Sequence, residues 1–277
     1  MTCAVSDVDQ AHDELVRQAT ENSKRYNYGR DGFQVHRGPM FSDEQVRVAR
    51  EHAWSVLRGV YETGVAPRTN TGGPDIANHP AYIEAQFPQD ADNTIREMMS
   101  DSRMAQWTAE VVGAKRLKVF NCMVLAKYPR SDKNTVVGWH QDRRYFDNII
   151  KGTSVNVWLA LDDVPVEIGP LRFVPGSQSW HRLYENGFFE HDEERQREEI
   201  EVPEGKVWTE VDSVLPAGWC SAHHAHIMHG SGMNRGNKPR ISMLLNYGID
   251  DFTMLPGTYF ATRQDDPKAC PVVYSAG

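Results

Sequence analysis

Hydrophobic positions follow two different periods along the chain. Between Ser42 and Val112 they recur at helical spacing: Val46, Ala49, Ala53, Val56, Leu57 and Val60 make one stripe, and Ile95, Met98, Met99, Trp107 and Val111 another. The first stripe opens on Ser42-Asp43-Glu44-Gln45, a capping-box sequence, and predicts a helix over 43–62. The second predicts a helix from about 93 to 112, with Gly113 as its stop. Between them, 64–88 is rich in Pro, Gly and polar residues and reads as a long loop, a length that usually serves function.

From Leu117 the period shortens to that of a strand. Residues 117–128 are rich in β-branched and aromatic side chains, and Val155, Val157, Leu159 and Leu161 alternate within 154–161. Further strands are predicted at 171–174, 219–225 and 240–247, separated by turns such as Pro175-Gly176 and Pro216-Ala217-Gly218. Helices first and strands afterwards predict a mainly β chain with flanking helices, its strands forming a two-sheet barrel or jelly roll. A single domain is expected, with a helical part over 1–115, a β core over about 116–250 and a tail over 251–277.

Composition narrows the partners. Thirty Lys and Arg against 38 Asp and Glu give a net charge of −8, and no basic run is long enough to track a phosphate backbone, which excludes nucleic acid. No stretch approaches the ~18 uncharged apolar residues of a membrane helix. The polar start, Met1 to Gln10, lacks a signal sequence, so a cytoplasmic protein, monomeric or homodimeric, is expected. Cys3, Cys122, Cys220 and Cys270 are too scattered for a zinc finger or a disulfide framework; Cys122 and Cys220, in apolar surroundings, read as buried small hydrophobes. Seven Asp or Glu within 190–201 predict a solvated insertion.

Of the eleven histidines, His140 is set apart by Asp142 two residues later, since side chains two apart on a strand share a face. An imidazole and a carboxylate so placed offer two thirds of the 2-His-1-carboxylate set that holds non-haem Fe(II). His223, His224, His226 and His229 are candidates for the second histidine. His229 is preferred, because it opens His229-Gly230-Ser231-Gly232 and is followed eleven residues later by Arg240 at the head of an apolar strand. A guanidinium there suits the carboxylate of a dicarboxylic co-substrate. His223, His224 and His226 read as hydrogen-bonded neighbours of the site or as surface residues, and Arg143 and Arg144 as a solvated pair or as contacts to an anionic substrate.

Three segments together resemble the phytanoyl-CoA dioxygenase family of Fe(II)/2-oxoglutarate oxygenases. They are Trp139-His140-Gln141-Asp142, the run from Gly169 through Pro175-Gly176-Ser177, and His229-Gly230-Ser231-Gly232-Met233-Asn234 followed by Arg240. Two departures are Gln178, where the family often has His, and Gly218-Trp219 in place of Gly-Asp. The resemblance implies a double-stranded β-helix, the cupin-like jelly roll. It also implies that His140, Asp142 and His229 bind iron and that Arg240 binds 2-oxoglutarate, with Ser231, Trp158 and Gln141 as further co-substrate contacts. The implied activity consumes O2 and 2-oxoglutarate, yields succinate, and hydroxylates an unactivated carbon, with ascorbate as a reductant in vitro. Desaturation, epoxidation or cyclisation remains open, and so does an acyl-CoA substrate, though a free small molecule is favoured. A halogenase would lack Asp142, and a non-catalytic barrel would not need Arg240. The 64–88 loop, as a lid, and the tail from Asp250 to Gly277 are the expected walls of the substrate pocket.

Overall fold

The computed structural model describes residues 7–74, 82–129, 135–184, 187 and 190–277. In chain order it contains α1 (Asp7–Arg25), α2 (Tyr28–Asp31), β1 (Phe33–Val35), α3 (Asp43–Leu57), β2 (Thr69–Asn70), β3 (Tyr82–Gln86), α4 (Asn93–Met99) and α5 (Ser102–Val112). Then follow β4 (Arg116–Lys127), β5 (Val137–His140), α6 (Arg143–Phe146), β6 (Ile150–Ala160), β7 (Leu171–Phe173), α7 (Glu193–Glu199) and β8 (Val211–Ser213). The chain closes with β9 (Cys220–His224), β10 (His229–Ser231), β11 (Arg240–Met254), α8 (Tyr259–Arg263) and β12 (Val272–Ser275). The strands make two antiparallel sheets. The major one has the order β1-β9-β6-β11-β4-β3-β2 with β12 also on β4, and the minor one the order β5-β10-β7-β8. Among the described residues no helix is long and apolar enough to cross a membrane.

Ser42 caps α3 through both halves of the capping box, and Val46, Ala49, Ala53, Val56 and Leu57 are buried as the stripe requires. The helix stops at Leu57, short of the expected 62, with Arg58 as its cap and Gly59 in the left-handed region, which leaves Val60 62% exposed. The expected 93–112 helix is two helices. Asp101 breaks it by accepting from the backbone N–H groups of Arg103 and Met104, starting α5 afresh. Gly113 ends α5 in the left-handed conformation, as predicted.

The first third is less purely helical than its pattern suggests, because β1, β2 and β3 belong to the major sheet and are too short to show a period. Residues 75–81 of the expected 64–88 loop lie outside the described residues. Its end is a strand: β3 runs beside β4 from Tyr82 opposite Lys127 to Gln86 opposite Met123. The acidic segment is solvated on one side only. Gln196 of α7 is buried and accepts the N–H of Trp139 at 2.8 Å, tying the insertion to β5.

One face of the major sheet, including Val155, Val157 and Leu159, packs on α3, α4 and α5. The other face, with Trp158 and Ala160, meets Phe173 of the minor sheet and Phe33 of β1. A third cluster joins Phe120, Phe252 and Phe260, so the C-terminal tail docks on the barrel flank through α8. Cys122, Cys220 and Cys270 are buried thiols; Cys3 lies outside the described residues.

Candidate metal centre

The minor sheet brings two histidines together. β5 and β10 pair so that His140 faces His229, with ring centroids 4.1 Å apart. Asp142 has already left the strand: its backbone is helical (φ −59°, ψ −33°) at the entry to α6. The turn into α6, rather than strand alternation, therefore swings its carboxylate toward the histidines. Asp142 Oδ1 lies 3.5 Å from His140 Nε2, and its Oδ2 lies 3.5 Å from His229 Nε2. All three ligand atoms fall within 4.8 Å of one another, and all three residues are buried.

The tautomers follow from the second ring nitrogens. His140 Nδ1 lies 2.7 Å from the Gly138 carbonyl and His229 Nδ1 lies 3.0 Å from the Ile227 carbonyl. A carbonyl only accepts, so each Nδ1 carries the proton and each Nε2 turns a bare lone pair inward. Burial, with the neighbouring His140, pushes His229 down to about 3, keeping it neutral and able to ligate near pH 7. Burial alone would raise the Asp142 carboxyl, but His229, His140 and His223 around it hold it well below the usual carboxylate range. Two imidazoles whose Nδ1 atoms are held by backbone carbonyls and one carboxylate, with ligand atoms within 4.8 Å of one another, are a donor set that fits a non-haem Fe(II) ion.

His223 completes the surroundings. It is buried on β9 with Nε2 3.2 Å from Asp142 Oδ2, and it lines the same cavity. His224 and His226 point elsewhere and do not reach the cluster.

Arg240 opens β11 on the facing sheet and is 2% exposed. Its Nη1 donates to the Gly169 carbonyl and its guanidinium lies 5.0 Å from the centroid of the Trp158 ring, while its Nε is buried with no hydrogen-bond partner among the described residues. Gly169 accepts this bond from a left-handed backbone (φ 72°), where a Cβ would run into the Gly232 carbonyl. Directly opposite Arg240 in the register sits Lys127, which the sequence reading missed. Fully buried, Lys127 spends its N–H groups on the Ser231 carbonyl and hydroxyl and the Gly232 carbonyl, at 2.6–3.1 Å. Burial and the Arg240 charge push the Lys127 ammonium well below its ordinary value; burial lowers Arg240 to about 10, against the opposing pull of Tyr82 and Asp162. Arg240, a buried cation with one N–H unsatisfied among the described residues and lining the cavity, is chemically suited to meet an anion.

His140, Asp142, His229, Arg240, Ser231 and Trp158 share one cavity of about 300 Å³ between the sheets. Gln141 does not line it. Its amide donates to the carbonyls of Arg182 and His226, and its carbonyl accepts from the Tyr184 N–H, so it ties three segments together instead of touching a co-substrate. Gln141→Ala should accordingly lower the unfolding free energy by about 1–3 kcal/mol with little change in 2-oxoglutarate dependence, as read by urea titration and steady-state kinetics. Arg143 turns toward Asp147 and the Gly152 carbonyl, and Arg144 is exposed, so neither contributes to the wall. The cavity is bounded by Tyr82 and Glu84 of β3 and by Tyr145 and Phe146 of α6, whereas the tail from Asp250 contributes nothing to it.

His224 makes the fold sensitive to acid. Its Nδ1 accepts the His226 backbone N–H at 3.0 Å, and burial, with His226 and His223 nearby, lowers it to about 4 from 6.5. The unfolded chain then takes up the proton more readily, so stability is full above pH 6.5 and is lost as pH falls toward 4. Denaturant titrations across that window should show this decline, with a shallower one in His224→Asn, which keeps an acceptor for the same N–H. Equal slopes would assign the effect to other groups.

Comparison with known proteins bears on the same residues. The family model described as phytanoyl-CoA dioxygenase (PhyH) matches residues 28–242. A curated protein of Stutzerimonas stutzeri, a probable alpha-ketoglutarate-dependent hypophosphite dioxygenase, is 29% identical over 127 residues, 44% of this chain and 42% of that protein. The match thus spans less than half the length of that relative. The solved structure of the epimerase SnoN, in complex with Fe3+, alpha ketoglutarate and nogalamycin RO, is 24% identical with a TM-score of 0.63, covering 91% of this chain and 89% of that one. The carbocyclase SnoK from nogalamycin biosynthesis is 20% identical with a TM-score of 0.60, over 92% of this chain and 88% of its own. At these identities the two structures speak for the fold, a cupin-like jelly roll.

Proposed function

The chain belongs to the phytanoyl-CoA dioxygenase (PhyH) family, and from that premise we propose that it is an Fe(II)- and 2-oxoglutarate-dependent oxygenase that hydroxylates an unactivated carbon of a small molecule. One observation carries the reading: three ligand atoms of the His140, Asp142 and His229 side chains converge in the cavity that also holds a buried arginine with an N–H unsatisfied among the described residues. In this reading His140, Asp142 and His229 hold the iron, and Arg240, flanked by Ser231 and Trp158, holds the far carboxylate of 2-oxoglutarate. When bound, iron with 2-oxoglutarate and O2 supplies the oxidising power, and 2-oxoglutarate leaves as succinate and carbon dioxide.

The chain's own contribution is placement. The Gly138 and Ile227 carbonyls fix both imidazole tautomers, and the planar fork of Arg240 grips a carboxylate through two N–H groups where an ammonium would offer a point charge. Met123, Leu125, Val137 and Leu244 line the remaining wall, exclude water and leave the substrate carbon as the group nearest the centre. The cavity volume, about 300 Å³, suits a free small molecule better than an acyl-CoA. Asp142 fills the position a halide would need, which disfavours halogenation.

The test is an incubation with Fe(II), 2-oxoglutarate, O2, ascorbate and a panel of small molecules, with succinate and product mass as readouts. Succinate release with a gain of one oxygen supports hydroxylation. Loss of two hydrogens, or an unchanged mass, would replace hydroxylation with desaturation or cyclisation, or with epimerisation. An iron-loaded protein that never forms succinate would overturn the oxygenase reading.

A further inference from the structure

A polar row crosses four neighbouring strands of the major sheet. Asn121 on β4, Asn246 on β11, Asn156 on β6 and His223 on β9 are successive register partners, and all four are buried. Buried amides are costly unless hydrogen-bonded, and these three are bonded in series. Asn121 Nδ2 donates to Asn246 Oδ1 at 2.8 Å, Asn246 Nδ2 donates to Asn156 Oδ1 at 2.6 Å, and Asn156 Nδ2 donates to Asp142 Oδ2.

The direction of this series is dictated from one end. An ionised carboxylate can only accept, so Asp142 draws the NH2 of Asn156 toward itself. That leaves the Asn156 carbonyl facing Asn246, which must present its own NH2, and the same constraint passes on to Asn121. At the far end, Asn121 Oδ1 is buried on the cavity wall without a hydrogen-bond partner. Asn246 in turn occupies the Asn156 carbonyl, so the Asn156 amide is held at both ends; without Asn246 that buried carbonyl loses its donor and the amide is held by the carboxylate alone.

We propose that Asn156, Asn246 and Asn121 form a one-way amide relay that positions Asp142 for the metal. Asn156 acts by direct contact, and the other two act by fixing which way the preceding amide points. The proposal rests on the reading of His140, Asp142 and His229 as the metal site. All three asparagines are positioning residues.

The test uses Co(II) as the probe, titrated into the full-length protein by calorimetry and visible absorption, with circular dichroism and thermal midpoints measured alongside. Asn156→Leu should weaken Co(II) binding by ~10–100-fold, the usual cost of losing an outer partner of a ligand. Asn246→Leu removes no contact to the three ligands, yet should weaken binding by roughly 3–10-fold and shift the Co(II) absorption bands, because the Asn156 carbonyl loses its donor and the amide is then held from one end only. A purely structural role would lower the thermal midpoint and leave Co(II) affinity and spectrum at parent values; that outcome in Asn246→Leu overturns the relay. If Asn156→Leu does not fold, Asn246→Leu alone decides. A parent protein that takes up no Co(II) overturns the metal site itself, whereas a parent that binds alongside an unaffected Asn246→Leu overturns only the relay.

Discussion

His229→Ala is expected to keep its fold and lose iron-dependent consumption of 2-oxoglutarate. His229 supplies one of three inward-facing ligand atoms, so its removal should cost more than the ~10–100-fold typical of an outer partner of a ligand. The fold should survive because the ring's other bond is a single contact to the Ile227 carbonyl and the space it vacates joins an existing cavity. Succinate release at saturating Fe(II), read beside a circular dichroism spectrum, checks the expectation. Turnover within a few-fold of the parent would remove His229 from the centre.

Arg240→Lys should raise the apparent Michaelis constant for 2-oxoglutarate by roughly 30-fold or more, in line with ~2–5 kcal/mol for a buried charge-assisted pair, with a smaller effect on the primary substrate. One feature of the structure makes the lysine a poor replacement. The guanidinium reaches the Gly169 carbonyl and lies over the Trp158 ring, which an ammonium cannot reproduce. An unchanged 2-oxoglutarate dependence would place the anchor elsewhere.

Much of the candidate site can be read from the sequence because its parts are local. His140 and Asp142 are two residues apart, and Ser231 and Arg240 lie within a single run that starts at His229. The strand periods of β4, β6 and β11 are equally local, as is the Ser42 capping box. The missing parts depend on pairings between distant segments. Lys127 looks like an ordinary strand-end lysine until β4 is laid beside β11 and covered by the 231–232 carbonyls. Asn121, Asn156 and Asn246 carry no motif of their own, and only the register of three strands brings them into line. Gln141 and Arg143 stand beside a ligand in sequence yet are not among the residues lining the cavity, since adjacency in sequence to a ligand says nothing about facing. β3 was hidden because a strand of five residues bounded by Pro-rich segments shows too little alternation to be separated from a loop.

The most direct test of the account is an anaerobic optical titration of the parent protein with Fe(II) and 2-oxoglutarate. The account predicts a visible charge-transfer band that needs both additions, saturates at one iron per chain, and is abolished in His229→Ala. In Arg240→Lys the same band should require much more 2-oxoglutarate. A band that persists unchanged in His229→Ala, or an absence of any band when both are in excess, would contradict it.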